Sequence, residues 1–135
     1  PISADTVPYY KHQRRRNMRL IERQMIDAIK QGKDWRKDDT KVVHFYNDKE
    51  YPVVTSVFLH GNKIAEIDAT TVEIYDGGWQ STTTKSRLNA LINGLCDGYN
   101  QSIYQKKFEW FIQDDEDGTG LTIPFQNGYT FARVN

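Results

Sequence analysis

The chain has 135 residues, 38% apolar and 27% charged, a balance that fits one folded domain with a single core and excludes a disordered chain. Lys+Arg and Asp+Glu both number 18, which excludes an acidic mimic of DNA, and no apolar run reaches the length that spans a bilayer. The single cysteine, Cys96, excludes an internal disulfide and a multi-cysteine zinc site, and points to a cytoplasmic setting and a packing role.

In chain order, residues 1–16 contain two prolines and no apolar period, and read as a basic, extended arm ahead of one domain over 17–135. From Asn17 a helix is predicted, with Met18, Ile21, Met25, Ala28 and Ile29 at helical spacing and Gly32 as its stop. Trp35 follows in a charged linker. KVVHFY (41–46) has strand chemistry, and Pro52 suggests an edge position for the strand it opens. VTSVFLH and KIAEID, flanking Gly61-Asn62, predict a hairpin, and TTVEIY a further strand closed by Asp76-Gly77-Gly78.

A second helix is predicted after TTT, because Leu88, Leu91, Ile92 and Leu95 fall at i, i+3, i+4 and i+7. Beyond Gly98, IYQKKFEWFIQD reads as a strand whose buried face holds Phe108, Trp110 and Ile112; LTIPF and YTFARV complete the set. The fold class is therefore α+β, two helices packed on a largely antiparallel sheet of about six to eight strands.

The segment TTTKSR raises a chemical question. The start of a helix presents unpaired N–H groups and the positive end of its dipole, yet Lys85 and Arg87 stand there beside the hydroxyls of Thr82, Thr83, Thr84 and Ser86. A bound phosphate or carboxylate would turn repulsion into attraction, with Trp79 flanking it. The alternative is an ordinary threonine cap with two solvated cations.

Charge is also uneven along the chain. Residues 1–41 carry 11 Lys+Arg against 6 Asp+Glu, whereas 42–135 carry 7 against 12. The run KHQRRR, with Arg14, Arg15 and Arg16, and then Arg19, has the composition that holds phosphate backbones without sequence preference, or a solvated helix face. Of the aromatic residues expected in strands, Tyr46 and Phe111 lie on the opposite parity to their apolar neighbours and are the candidates for exposure.

Catalytic and metal signatures are weak. His12, His44 and His60 are scattered, DDEDG lacks the closing glutamate of a calcium loop, and there is no nucleophile motif. His60 with Asp68 or Glu66 is the one conceivable acid–base pair. No enzyme, cofactor or metal is expected.

VFLHGNKIAEI, GWQSTTTKSRLNALINGL and FEWFI together resemble small, uncharacterised bacteriophage-encoded proteins, which share an LHGN-x-IA hairpin, a tryptophan followed by TTKSRLNAL, and a late aromatic strand. The resemblance covers roughly residues 18–131 and implies a phage accessory protein in the bacterial host cytoplasm; it carries no assigned activity. The residues then point to a non-enzymatic protein that binds nucleic acid or another polyanion through Arg14, Arg15, Arg16 and Arg19 and through Trp79, Thr84, Lys85, Ser86 and Arg87. The alternatives are a protein-interaction module that inhibits or redirects a host enzyme through Tyr46, Trp79 and Phe111, or a minor virion component.

Overall fold

The computed structural model describes residues 18–47, 52–115, 118 and 120–135. The arm expected over 1–16, with Arg14, Arg15 and Arg16, lies outside them, as does the expected cap Asn17. Helix α1 (Leu20–Gln31) is followed by strands β1 (Trp35–Lys37), β2 (Thr40–Tyr46), β3 (Pro52–Leu59), β4 (Asn62–Ile67) and β5 (Thr71–Ile74). Then come helix α2 (Thr82–Leu95) and strands β6 (Gln101–Lys106), β7 (Glu109–Asp114), β8 (Thr122–Pro124) and β9 (Tyr129–Ala132). The class is α+β, and every pairing is antiparallel.

The strands divide into two sheets, one of six in the order β1-β2-β3-β4-β5-β9 and one of three in the order β6-β7-β8. The six-stranded sheet is a meander until β9, which returns after α2 to pair with β5. Three local readings change. Trp35 belongs to a short hairpin with β2 rather than a linker. Strand β3 is interior, and Pro52 is tolerated because it is the first residue of the strand, opposite a shift of register between Phe45 and Tyr46. IYQKKFEWFIQD is a hairpin, not one strand: Lys107 and Phe108 form its turn, and Phe108, expected in the core, is 94% exposed.

Helix α1 ends as its glycine predicts. Gly32 takes the left-handed conformation (φ 68°) and its N–H reaches Ile29 O at 3.3 Å, while Lys33 N–H reaches Ala28 O at 3.0 Å. The helices meet the sheet face that bears Thr40, Val42 and His44. His44 Nε2 lies 3.1 Å from both Ala28 O and Lys33 O; carbonyls only accept, so Nε2 carries the proton and Nδ1 faces Thr55 Oγ1 at 2.7 Å. Between β4 and β5, Asp68 accepts the N–H groups of Thr70 and Thr71, and the Thr70 bond leads the causes that hold its carboxyl below the usual range.

Helix α2 is enclosed on most sides. The expected face, Leu88, Leu91, Ile92 and Leu95, is fully buried, but so are Ala90 and Gly94, because α1 and the three-stranded sheet cover the flanks. Asn89 docks that second sheet: its Nδ2 donates to Ile103 O at 2.9 Å, and Ile103 N–H donates to its Oδ1 at 2.8 Å. One side chain thus satisfies a backbone pair on β6, the edge strand. Asn89→Ala is expected to cost about 1–3 kcal/mol, read from the urea midpoint, because both backbone groups lose their partners. The sheets also meet at Asp114, whose Oδ1 accepts from buried Gln101 at 2.9 Å and whose Oδ2 accepts from Tyr129 at 2.7 Å.

Candidate functional site

The start of α2 is built from the turn that precedes it. Asp76 Oδ1 accepts the Gly78 N–H at 2.7 Å, and its own N–H donates to Asn127 at 2.8 Å. Gly77 (φ 70°) is needed twice over, for its left-handed backbone and because a Cβ would lie 3.3 Å from Ile64 Cγ2 and 3.4 Å from Asn62 Cβ. Trp79 then projects into solvent, 75% exposed.

Ser81, not a threonine, is the N-cap: its Oγ accepts the Thr84 N–H at 3.0 Å. Thr82 is therefore the first helical residue, Lys85 the fourth and Arg87 the sixth. The two cations lie beyond the first turn, where the dipole is strongest, so the repulsion inferred from the sequence largely disappears. Thr84 is buried, its hydroxyl 2.9 Å from Ser81 Oγ, where it closes the cap, and it lines the cleft beside it.

Arg87 points inward. Its Nη1 donates to Glu22 Oε2 at 2.9 Å and its Nε to Thr40 Oγ1 at 3.1 Å, with side chains of Arg87 and Glu22 only 8% and 4% exposed. Ser86 Oγ donates to the same carboxylate oxygen at 2.6 Å, and Arg19 N–H donates to Oε1 at 3.2 Å. The anion that Arg87 and Ser86 seek is thus Glu22 of α1. The network also unites two segments that sequence reasoning kept apart, since it fixes the point where the basic N-terminal run joins α1 against the second turn of α2. Of the predicted residues, Arg19, Trp79 and Lys85 reach solvent, Ser86 is half-buried, Thr84 and Arg87 are withdrawn, and Arg14, Arg15 and Arg16 lie outside the described residues.

Glu22 is the residue the sequence reading missed. It stands four residues after Met18 and three before Met25, on the apolar stripe, and a carboxylate there signals a buried cation partner elsewhere.

Beside the cap lies a cleft of about 350 Å³, lined by Trp79, Ser81 and Thr83 on one side and by His60, Asn62 and Ile64 of the β3–β4 hairpin on the other. The LHGN hairpin and the tryptophan–threonine segment, twenty residues apart in sequence, therefore form one concavity. His60 pairs with Asp39 (Nδ1 to Oδ2, 3.2 Å) and not with Asp68 or Glu66, which correct geometry assigns to the β4–β5 turn and to Lys63 at 3.7 Å. Both members of the His60–Asp39 pair are largely solvated. Among the described residues, no three His, Cys, Asp or Glu side chains converge as a metal site, and no helix is long and apolar enough to cross a membrane.

Comparison with curated proteins and with solved structures gave no match. A family model described as Kyanoviridae Gp96 protein matches residues 18–132, nearly the whole described chain and the same span as the phage resemblance. The chain belongs to the Kyanoviridae Gp96 protein family, a family of phage-encoded proteins.

Proposed function

We propose that this protein is a non-enzymatic phage accessory protein that binds nucleic acid or another polyanion. One observation carries the reading. Every Lys and Arg from 18 to 41 is exposed (Arg19, Arg23, Lys30, Lys33, Arg36, Lys37 and Lys41), while Glu22, an acid of the same stretch, is buried against an arginine from the other half. The surface of the N-terminal portion is therefore more positive than its formal charge. The run Arg14–Arg15–Arg16 continues that surface in sequence, and Lys85 adds a cation beside the exposed Trp79. Such clusters gain affinity by releasing the counterions of a phosphate backbone.

A fluorescence-anisotropy titration with labelled DNA and RNA tests the reading. Binding is expected at about 50 mM salt, and Arg19→Glu with Arg23→Glu should weaken it by at least about tenfold. No binding to either nucleic acid at that salt ends the proposal.

A second reading, docking to a host protein, draws on the far end of the six-stranded sheet, where Phe45, Tyr46 and Val53 are each about half exposed on paired strands. A host protein retained on the immobilised chain after nuclease treatment, and lost with Tyr46→Ala, would favour this reading over the first.

A further inference from the structure

Among the described residues, helices cover only one face of the six-stranded sheet, the face of Thr40 and His44, which meet Arg87 of α2 and Ala28 of α1. On the other face the register sets like charges side by side. Arg36 of β1 stands directly across from Lys41 of β2, and Glu66 of β4 directly across from Glu73 of β5. Cross-strand neighbours of like charge weaken a sheet rather than support it. Within the chain these groups find modest relief. The Lys41 ammonium lies 5.1 Å from the centre of the Phe58 ring, Lys63 reaches Glu66 at 3.7 Å, and Tyr75 donates its hydroxyl to Glu73.

The two pairs are placed symmetrically about β3. The basic pair straddles β1 and β2 and the acidic pair β4 and β5, so their midpoints are about 14 Å apart with β3 halfway. On this face β3 shows Val54 and Phe58, both half-buried, and Phe45 of β2, across from Val54, is 53% exposed. Lys41 is opposite Phe58 and Glu66 opposite Ser56. The acidic pair therefore lies one outward row further along the strands, about 7 Å, a distance that lysine and arginine side chains span. A second copy turned over about a two-fold axis above β3, near the strand direction, sets the basic pair of each chain on the acidic pair of the other. The face measures about 29 by about 17 Å, so a dimer would bury about 1,000 Å² in total, the lower end of specific interfaces.

We infer that the chain forms a two-fold dimer through this face, with Val54 and Phe58 at the centre and Arg36 and Lys41 of each copy set on Glu66 and Glu73 of the other. An apolar centre with charged groups around it is the common build of a specific interface. Pairs that repel within one chain become attractive between two, which gives the arrangement a role that folding of the single chain does not. Helix α1 lies behind the sheet, so Arg19 and Arg23 stay open to solvent in the dimer, and the inference does not depend on the nucleic-acid reading.

Sedimentation equilibrium of the full chain, from about 5 to about 500 μM protein at about 50 mM salt, tests it. The average mass should climb from that of one chain toward that of two. Glu73→Lys and Lys41→Glu each turn a like-charged pair into an opposite one within the chain, so neither variant should unfold at a lower urea concentration than the natural chain. Across the interface each sets like charge on like, so each variant alone should dimerise at least about tenfold more weakly. Mixed in equal amounts, the two should associate more tightly than either alone, because the intact basic pair of the first meets the intact acidic pair of the second. A natural chain that keeps the mass of one copy throughout, a variant that dimerises as the natural chain does, or a mixture no tighter than its components overturns the inference.

Discussion

Replacing Arg87 with methionine is expected to destabilise the protein by about 3–5 kcal/mol, read as a lower urea midpoint with an unchanged slope. The size follows from what is left behind. Glu22 is 3% exposed and would be left buried without its cation, with only Ser86 Oγ and the Arg19 N–H as donors, while Thr40, fully buried, would lose its partner. Removing the anion as well, in Glu22→Leu with Arg87→Met, should recover much of the loss, since a buried ion pair is worth little over an apolar pair that fills its space. Lys85→Glu, on the half-buried neighbour outside this network, should change stability by less than about 1 kcal/mol. If Arg87→Met unfolds at the same urea concentration as the natural chain, Arg87 is a surface cation after all and returns to the list of anion ligands.

Gly94→Val is expected to cost about 2–3 kcal/mol for the opposite reason, excess volume. Even a single Cβ at Gly94 would lie 2.8 Å from Ile26 Cδ1, 3.0 Å from its Cγ1 and 3.1 Å from its Cγ2. Ile26 is buried and β-branched, so it has few rotamers in which to retreat, and α1 would have to move off α2. The glycine is thus the contact point of the two helices. Shortening the neighbour, Ile26→Ala, should rescue part of the loss in the double variant. A double variant whose loss is the simple sum of the two singles would show that these side chains do not meet.

The parts of this structure legible in the sequence are those set by local period and turn chemistry. Helix α2 was marked by Leu88, Leu91, Ile92 and Leu95, and the β3–β4 hairpin by Gly61, because side-chain periodicity and left-handed turn residues act within a few residues; the turn itself is His60-Gly61 (φ 52° and 80°), one residue earlier than the expected Gly61-Asn62, with Asn62 already paired to Leu59. Where the sequence misleads, a distant partner or a strained turn decides. Lys107-Phe108 carries no turn signature, so the β6–β7 hairpin reads as one strand and its exposed ring as core. Pro52 suggests an edge, but an interior strand accepts it at its first position, beside the register shift of β2. The six-and-three division of the strands depends on α2 being covered from both sides, which no single segment encodes.

The candidate site follows the same rule. The sequence drew attention to TTTKSR for a charge at odds with the helix dipole. The structure answers with a carboxylate 65 residues away for Arg87 and a serine cap that places Lys85 outside the first turn. Of the residues the sequence offered, Arg19, Trp79 and Lys85 reach solvent and Thr84 lines the cleft beside the cap.

The most direct test of the proposed function is the salt dependence of affinity for a short single strand, followed by anisotropy from about 50 to about 200 mM salt. Contacts from Arg14, Arg15, Arg16 and Arg19 to four phosphates predict that the logarithm of the binding constant falls with the logarithm of salt with a slope of about −3. A flat dependence, or no binding at the lowest salt, would contradict the account.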